Sequence, residues 1–485
     1  MGMGQKNNML KRGLLRNGIR YGCLALCWLT ASCTSRENDR TKEGRLIVIY
    51  WEKWTGFEAE AMQAVVDDFN ASQDRLEVRM LPVSGILDKL MLATAGGNPP
   101  DLAGLWTHSI TEFSEKGALT PLDSFLEGSR IREEDYIPVY WELCRNHGFL
   151  WALPTTPASL ALHWNKRLFR EAGLDPDCPP KSLTELDELS DKLTIVSIER
   201  NGEQQQVCYT ELTPEEKAAR GFSILQVGHI PTVPGWYSEM WGFWFGGSMW
   251  DGTSRVTANS PENIEAFTWY QSYAGKLGVD NLRTFGQSFG NFASPQSPFM
   301  AGKVAMVLQG VWLYNFIEKF SPGMEWGVAP FPSADPERLP NVCIVESDIL
   351  VIPRGARHPR AAFEFMEYVN SRPVLEKLNL GQRKFSPLMQ VSDGFTARHP
   401  NPYISVFMEL AMSSNACYVP KISVWQEYKD EMSVMTSQLD AELTTPREAL
   451  DEVQERVQWK FDRILRRWNK VKEKRFKEWS RHDPK

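Results

Sequence analysis

The 485 residues contain no CxxC pair and no Cys/His cluster, and the seven histidines are scattered. Zinc is left without a ligand set, so no metal is expected. No GxGxxG follows the first apolar strand, which removes the usual sign of a dinucleotide; no cofactor is called for. HExxH and a Walker loop are missing as well. Basic residues are in deficit, with 54 Lys and Arg against 61 Asp and Glu and a net charge of −7. Phosphate binding needs a basic face, so nucleic acid is not an expected partner. A glycosidase carboxylate pair survives a count of 61 acids, but no local context singles one out.

The first 32 residues stand apart. Lys6, Lys11, Arg12, Arg16 and Arg20 precede a short apolar core, Cys23 to Leu29. That core is well below a membrane span and reads as an export signal. Ala31-Ser32 then precede Cys33, the pattern of a lipoprotein signal with Cys33 as the lipidated residue. Thr30 stands where such signals usually have Leu, and Leu29 comes one place early. Residues 33–44 are polar and read as a tether. Removing residues 1–32 takes the net charge from −7 to −12. The later cysteines, 144, 178, 208, 343 and 417, are odd in number; export permits disulfides, and their pairing stays open.

What is present is apolar material for two cores, 42% of the chain, and 18 tryptophans. Leu46 to Tyr50 is a continuous apolar run, read as a buried strand. Glu58 to Phe69 has a helical apolar face, and Leu76 to Leu81 alternates as a strand. Leu87, Leu90, Met91 and Ala95 predict a helix over 86–95. Gly96-Gly97 can cap it, and Asn98-Pro99-Pro100 cannot continue it. Leu102 to Trp106 is then a short buried strand. Strands alternating with helices imply an α/β fold with a largely parallel sheet.

Further on, Gly148 to Asn165 reads as two extended runs around Pro154-Thr155-Thr156-Pro157. Ser182 to Glu185 is a capping box. Residues 198–222 are polar and read as a surface excursion. Val233 to Gly252 is the most aromatic stretch. Val304 to Leu308, Trp326 to Phe331 and Ser347 to Ile352 read as strands, and 359–370 as an amphipathic helix. Thr445-Pro446-Arg447-Glu448 opens a last helix, whose basic end, 470–481, reads as solvated.

The stretch Lys89-Leu90-Met91-Leu92-Ala93-Thr94-Ala95-Gly96-Gly97-Asn98-Pro99-Pro100-Asp101 resembles a hallmark of the family 1 extracellular solute-binding proteins, the sugar-capturing subunits of ABC importers. Asn165-Lys166 with Leu168-Phe169, and the run from Glu346 through Pro353 to Phe365, match that family too. The resemblance implies a two-lobed periplasmic-binding fold (type II), related to maltose-binding protein, with a ligand cleft between lobes. It implies an N-terminal lobe of 45–156 and 345–378 and a C-terminal lobe of 157–344 and 379–485. Crossings are expected near 155–158, 343–346 and 378–383.

A sugar site needs flat aromatics for ring faces and fixed carboxylates or amides for hydroxyls. Glu52 and Trp54 follow the first strand; the bland reading is a surface loop with Trp54 packed down. Trp106 ends the third strand, where open α/β sheets place ligands. Trp236, Tyr237 and Trp241 lie in the aromatic stretch, of which some must be core. Gln309-Gly310-Val311-Trp312 is the sharpest motif: Gly310 admits a close backbone approach, and Trp312 opens a helix. The resemblance places a stacking Trp there. Glu346 and Asp348 lie at the second crossing and could bind hydroxyls or only fix the hinge. Arg383 is a further candidate at the third.

The resemblance implies an exported, lipid-anchored monomer, in the periplasm or at the cell surface. It would bind carbohydrate and pass it to ABC permease subunits, with no catalytic residue. The competing readings are a sugar-active hydrolase and a surface adhesin lipoprotein on the same scaffold.

Overall fold

The computed structural model of the chain describes residues 39–235 and 237–481. The leader 1–32, Cys33, most of the tether and Trp236 lie outside the described residues. The end of the expected tether is folded: Arg40 bridges Leu46, and the Ile47 N–H donates to the Asp39 carbonyl at 2.8 Å.

Strand β1, Leu46–Glu52, pairs in parallel with β2, Leu76–Pro82, and with β3, Leu102–Trp106. The helix Gly56–Ser72 between β1 and β2 buries Ala59, Met62, Val65, Val66 and Phe69. The helix Ile86–Ala95 has the expected bounds. It closes through Gly97, at φ +74°, with the Asn98 N–H reaching the Ala93 carbonyl at 3.0 Å. Gly96 stays right-handed, so one glycine of the pair makes the turn.

Two long strands tie the molecule together. β6, Leu153–Asn165, follows a small hairpin of β4, Arg145–Asn146, and β5, Phe149–Leu150. β12, Cys343–Val351, runs antiparallel to it. The expected pair of extended runs is therefore one strand of 13 residues. Its prolines are tolerated because the register slips between Asp348 and Ile349: Thr156 faces Asp348 and Pro154 faces Ile349, leaving Thr155 as a bulge. Beyond the bulge β6 pairs with β10, Met306–Gly310, and β11, Trp326–Ala329. The sheet order is β10-β6-β12-β3-β1-β2, mixed in direction; β13, Ala416–Cys417, joins β12. The strand expected at 304–308 sits two residues later, and Val304 makes an isolated bridge to Val227.

Separate cores divide the sheet. Leu153 of β6 and Ile349 of β12 pack with Val48, Leu105 and Met366 in one. Leu160 and Leu162 of β6 and Ile344 of β12 pack with Phe267 and Met306 in another. The fold is two-lobed, with β6 and β12 serving both lobes.

Two expectations are refined. Residues 198–222 lie at the surface as expected, but they are not without structure. β7, Ile195–Arg200, β8, Glu203–Cys208, and β9, Phe222–Gln226, form a three-stranded antiparallel sheet. Val196, Ile198, Phe222 and Ile224 are buried while the residues between them are polar, so composition alone hides the strands. The basic end of the chain is a helix end with its Lys and Arg in solvent, as expected, but its other side is packed. The last helix runs from Pro446 to Ser480, about 52 Å at 1.5 Å per residue. Leu450, Val457 and Phe461 pack in the second core, whereas Trp468 and Trp479 pack in the first. Trp479 meets Trp151 edge to face at 4.8 Å, and Trp468 stacks on His147 at 4.7 Å.

A candidate ligand cleft between the lobes

Where β6, β12 and the carboxyl ends of β1 and β3 converge, a cavity of about 340 Å³ opens between the lobes. Its walls are largely aromatic. Trp54, in the turn after β1, and Trp106, the last residue of β3, meet edge to face at 5.8 Å and 89°. Trp106 also stacks on His108 at 5.7 Å. The facing wall is built by Tyr237, Phe292, Trp312 and Phe316. Trp312 caps the helix Leu313–Phe320, which follows β10 and carries Phe316 one turn on.

Gly310 explains how Trp312 is held. A Cβ there would lie 2.3 Å from the Trp312 ring. The absent side chain is the space the indole occupies, so Gly310 approaches Trp312 and lines no part of the cavity.

Polar groups enter from the crossing strands. Glu346, Ser347 and Asp348 of β12 and Thr156 of β6 line the cavity, with Glu58 and Lys384 beside Trp54. Asp348 is buried, yet two ammonium groups reach it: Lys53 Nζ at 3.2 Å and Lys384 Nζ at 3.0 Å. The Thr156 hydroxyl donates to the same carboxylate. Burial opposes its ionisation, but Lys384 and Lys53 hold the Asp348 carboxyl below its usual value. Lys384 pairs also with Glu58 at 3.1 Å; burial acts against its charge, and Asp348 and Glu58 raise its pKa despite it. Both ammonium groups lie over the Trp54 ring, at 5.0 and 4.9 Å.

Glu346 joins elements from both sides of the cleft. His108 Nδ1 pairs with one carboxylate oxygen, and the Tyr237 hydroxyl donates to the other at 3.4 Å. Burial first, and Glu346 next, push the Tyr237 phenol far above its ordinary pKa, so it remains a donor.

The structure thus brings Trp54, Trp106, Tyr237, Trp312, Glu346 and Asp348 to one cavity. It places other candidates elsewhere. Glu52 is buried behind the wall, accepting from the Tyr50 hydroxyl and pairing with Lys53 at 3.3 Å. A Cβ on Gly104 would strike its carboxylate at 2.2 Å, which shows how closely β3 packs over it. Trp241 is core, packed against Trp244, Trp269 and Phe331. Arg383 ends the helix Arg372–Gln382 in a left-handed conformation, its guanidinium over Tyr314 at 5.6 Å. The next residue, Lys384, takes the cavity instead. Phe57, Glu58, Thr156, Ala158, Phe292, Phe316, Ser347 and Lys384 also line the cavity without having been singled out in the sequence. Among the described residues no cluster of His, Cys, Asp and Glu could hold a metal, and Cys144, Cys178, Cys208, Cys343 and Cys417 are free thiols.

Two lobes sharing crossing strands over an aromatic and carboxylate-lined cleft define a solute-binding protein. The family model for bacterial extracellular solute-binding proteins matches residues 64–392, and the chain belongs to that family. It is 22% identical over 338 residues to the maltotriose-binding protein of Pyrococcus abyssi, covering 69% of this chain and 64% of that protein's length. An ABC transporter extracellular-binding protein of Pyrococcus horikoshii is 21% identical over 464 residues, 90% of this chain and 94% of that one. Among solved structures, CpMnBP1 with mannobiose bound superposes with a TM-score of 0.70 at 24% identity, covering 85% of this chain and 99% of the other.

Proposed function

We propose that this protein captures a saccharide between its lobes and delivers it to an ABC permease, without chemistry on the sugar. The observation that carries the reading is the cavity's construction. Trp54 and Trp106 from one side and Trp312 and Tyr237 from the other offer flat rings, with Glu58, Glu346 and Asp348 among them as hydroxyl acceptors. Maltotriose and mannobiose, the ligands of two of the similar proteins, belong to the same chemical class.

The lobes are taken as 45–156 with 345–378 and 157–344 with 379–485, with the last third of the terminal helix returning to the first lobe. A ligand that touches both lobes only when they approach favours the closed state by its differential contacts. Export and lipidation at Cys33 would hold a monomer at the membrane, where the permease is.

A thermal-shift screen of the chain from Thr34, against mono- and oligosaccharides with polyols and peptides as controls, tests the reading. A ligand at 100 times its Kd adds about 2.7 kcal/mol. One saccharide class should raise Tm by several degrees and be recovered unchanged. Recovery of cleaved sugar, or a shift for peptides alone, would contradict the proposal.

A further inference from the structure

The terminal helix carries a feature that ligand capture does not use. Between Arg463 and Arg481 lie nine Lys and Arg against two Glu, in a chain whose net charge is −7. At 100° per residue, Arg463, Arg466, Arg467, Lys470, Lys474, Lys477 and Arg481 fall within a sector of about 100°. All seven are exposed. The opposite side of the helix carries Trp468, Phe476 and Trp479, which pack on the first lobe. The aromatic side therefore fixes the helix and the basic side faces solvent. Glu478 is paired with Arg475 at 3.2 Å, which leaves Glu473 as the other acid within this span.

Trp459 lies on the same sector and is 57% exposed, the one exposed tryptophan among the described residues. Arg463 sits over its ring at 4.5 Å. An exposed Trp at the end of a cationic helix face is the composition that interfacial helices use.

The position of this face matters. A Cβ on Gly117 would lie 2.8 Å from Arg475, so the helix end rests on Gly117. Ala118 accepts from the Arg354 N–H at 2.8 Å, and Arg357 pairs with Asp39, the first described residue, at 3.4 Å. The basic helix end and the point where the chain enters the fold are thus joined through one short turn. Asp39 lies six positions after Cys33, a reach of about 20 Å when extended.

We propose that the basic face of the terminal helix docks on an anionic phospholipid surface, with Trp459 entering the headgroup layer, so that the tethered protein lies in one orientation on the membrane. The tethering part of this proposal rests on the reading of Cys33 as the anchor; the docking part does not.

The test uses the unlipidated chain from Thr34. Sedimentation with vesicles of phosphatidylcholine alone, or with about 30% phosphatidylglycerol, is measured at low and high salt. Binding should be about tenfold stronger to the anionic vesicles and be lost at about 0.5 M salt. Combined Arg466→Glu, Arg467→Glu, Lys470→Glu and Lys474→Glu should abolish it, and Trp459→Ser should weaken it severalfold, with Tm unchanged in both. Equal binding to both vesicle types, retention by the charge-reversed variant, or binding to a soluble polyanion but not to vesicles would overturn the proposal. Saccharide-induced thermal shifts should be the same in these variants, so failure here and failure of the sugar reading are separate results.

Discussion

Lys384 Nζ lies 3.0 Å from Asp348 Oδ2, both side chains are buried, and 36 residues separate them. Asp348 belongs to a strand shared by the lobes, and Lys384 follows the helix Arg372–Gln382. Removing Lys384 leaves the buried Asp348 with Lys53 alone and takes the ammonium from Glu58. Lys384→Met should therefore cost about 3–5 kcal/mol of stability, read by chemical denaturation. Lys384→Met with Asp348→Asn should recover part of it, since Lys53 keeps Glu52 as its partner and Glu58 is the one carboxylate that has lost its ammonium.

Gly310→Ala separates support of the site from stability of the lobe. The new Cβ would meet the Trp312 ring at 2.3 Å and displace the indole toward the cavity. Saccharide affinity should fall at least tenfold, about 1.4 kcal/mol, measured by calorimetry. Unchanged affinity would mean that the Trp312 ring face is not part of the site.

The terminal helix should be worth more to stability than a solvated tail. Trp479 is 7% exposed and touches Phe149, Trp151 and Trp468. Trp479→Ala should cost about 3–5 kcal/mol in the first lobe. Hydrogen exchange should show the loss at the β4–β5 hairpin.

Acid should weaken the second lobe well before the carboxylates titrate. Burial drives His163 down to about 3 and His229 down to about 4, although each Nδ1–H donates to a carbonyl, of Ala161 and Met306. The unfolded chain protonates these rings near pH 6.5, while the native state does not until its lower values. Below pH 6.5 the unfolded state binds more protons, so stability falls as pH falls. Each histidine contributes about 1.4 kcal/mol per pH unit. Denaturation midpoints from pH 7 to 5 should fall, and His163→Phe with His229→Phe should flatten the slope.

The elements legible in the sequence were those with local signals. Ile86–Ala95 and Leu102–Trp106 declare themselves through apolar spacing and the Gly-Gly-Asn-Pro-Pro break between them. Trp106 could be aimed at a cleft because it ends a strand, and Trp312 because it opens the helix that follows one. Lys384 could not: it becomes a cleft residue through partners on distant elements, and Arg383 beside it looks the same in sequence. Trp241 misled because a run of aromatics does not say which rings turn inward. Glu52 misled because the close approach of Gly104, 52 residues away, seals it from the cavity. The terminal helix was legible as a helix, but its second docking surface is a long-range contact with His147 and Trp151.

The most direct test of the account is titration calorimetry of the saccharide that gives the largest thermal shift, against the native chain and Trp106→Ala with Trp312→Ala. Each ring should be worth about 2 kcal/mol. The account requires the double variant to lose at least a hundredfold in affinity while keeping its cooperative unfolding. Native-like affinity in the double variant would contradict the placement of the ligand between these two tryptophans.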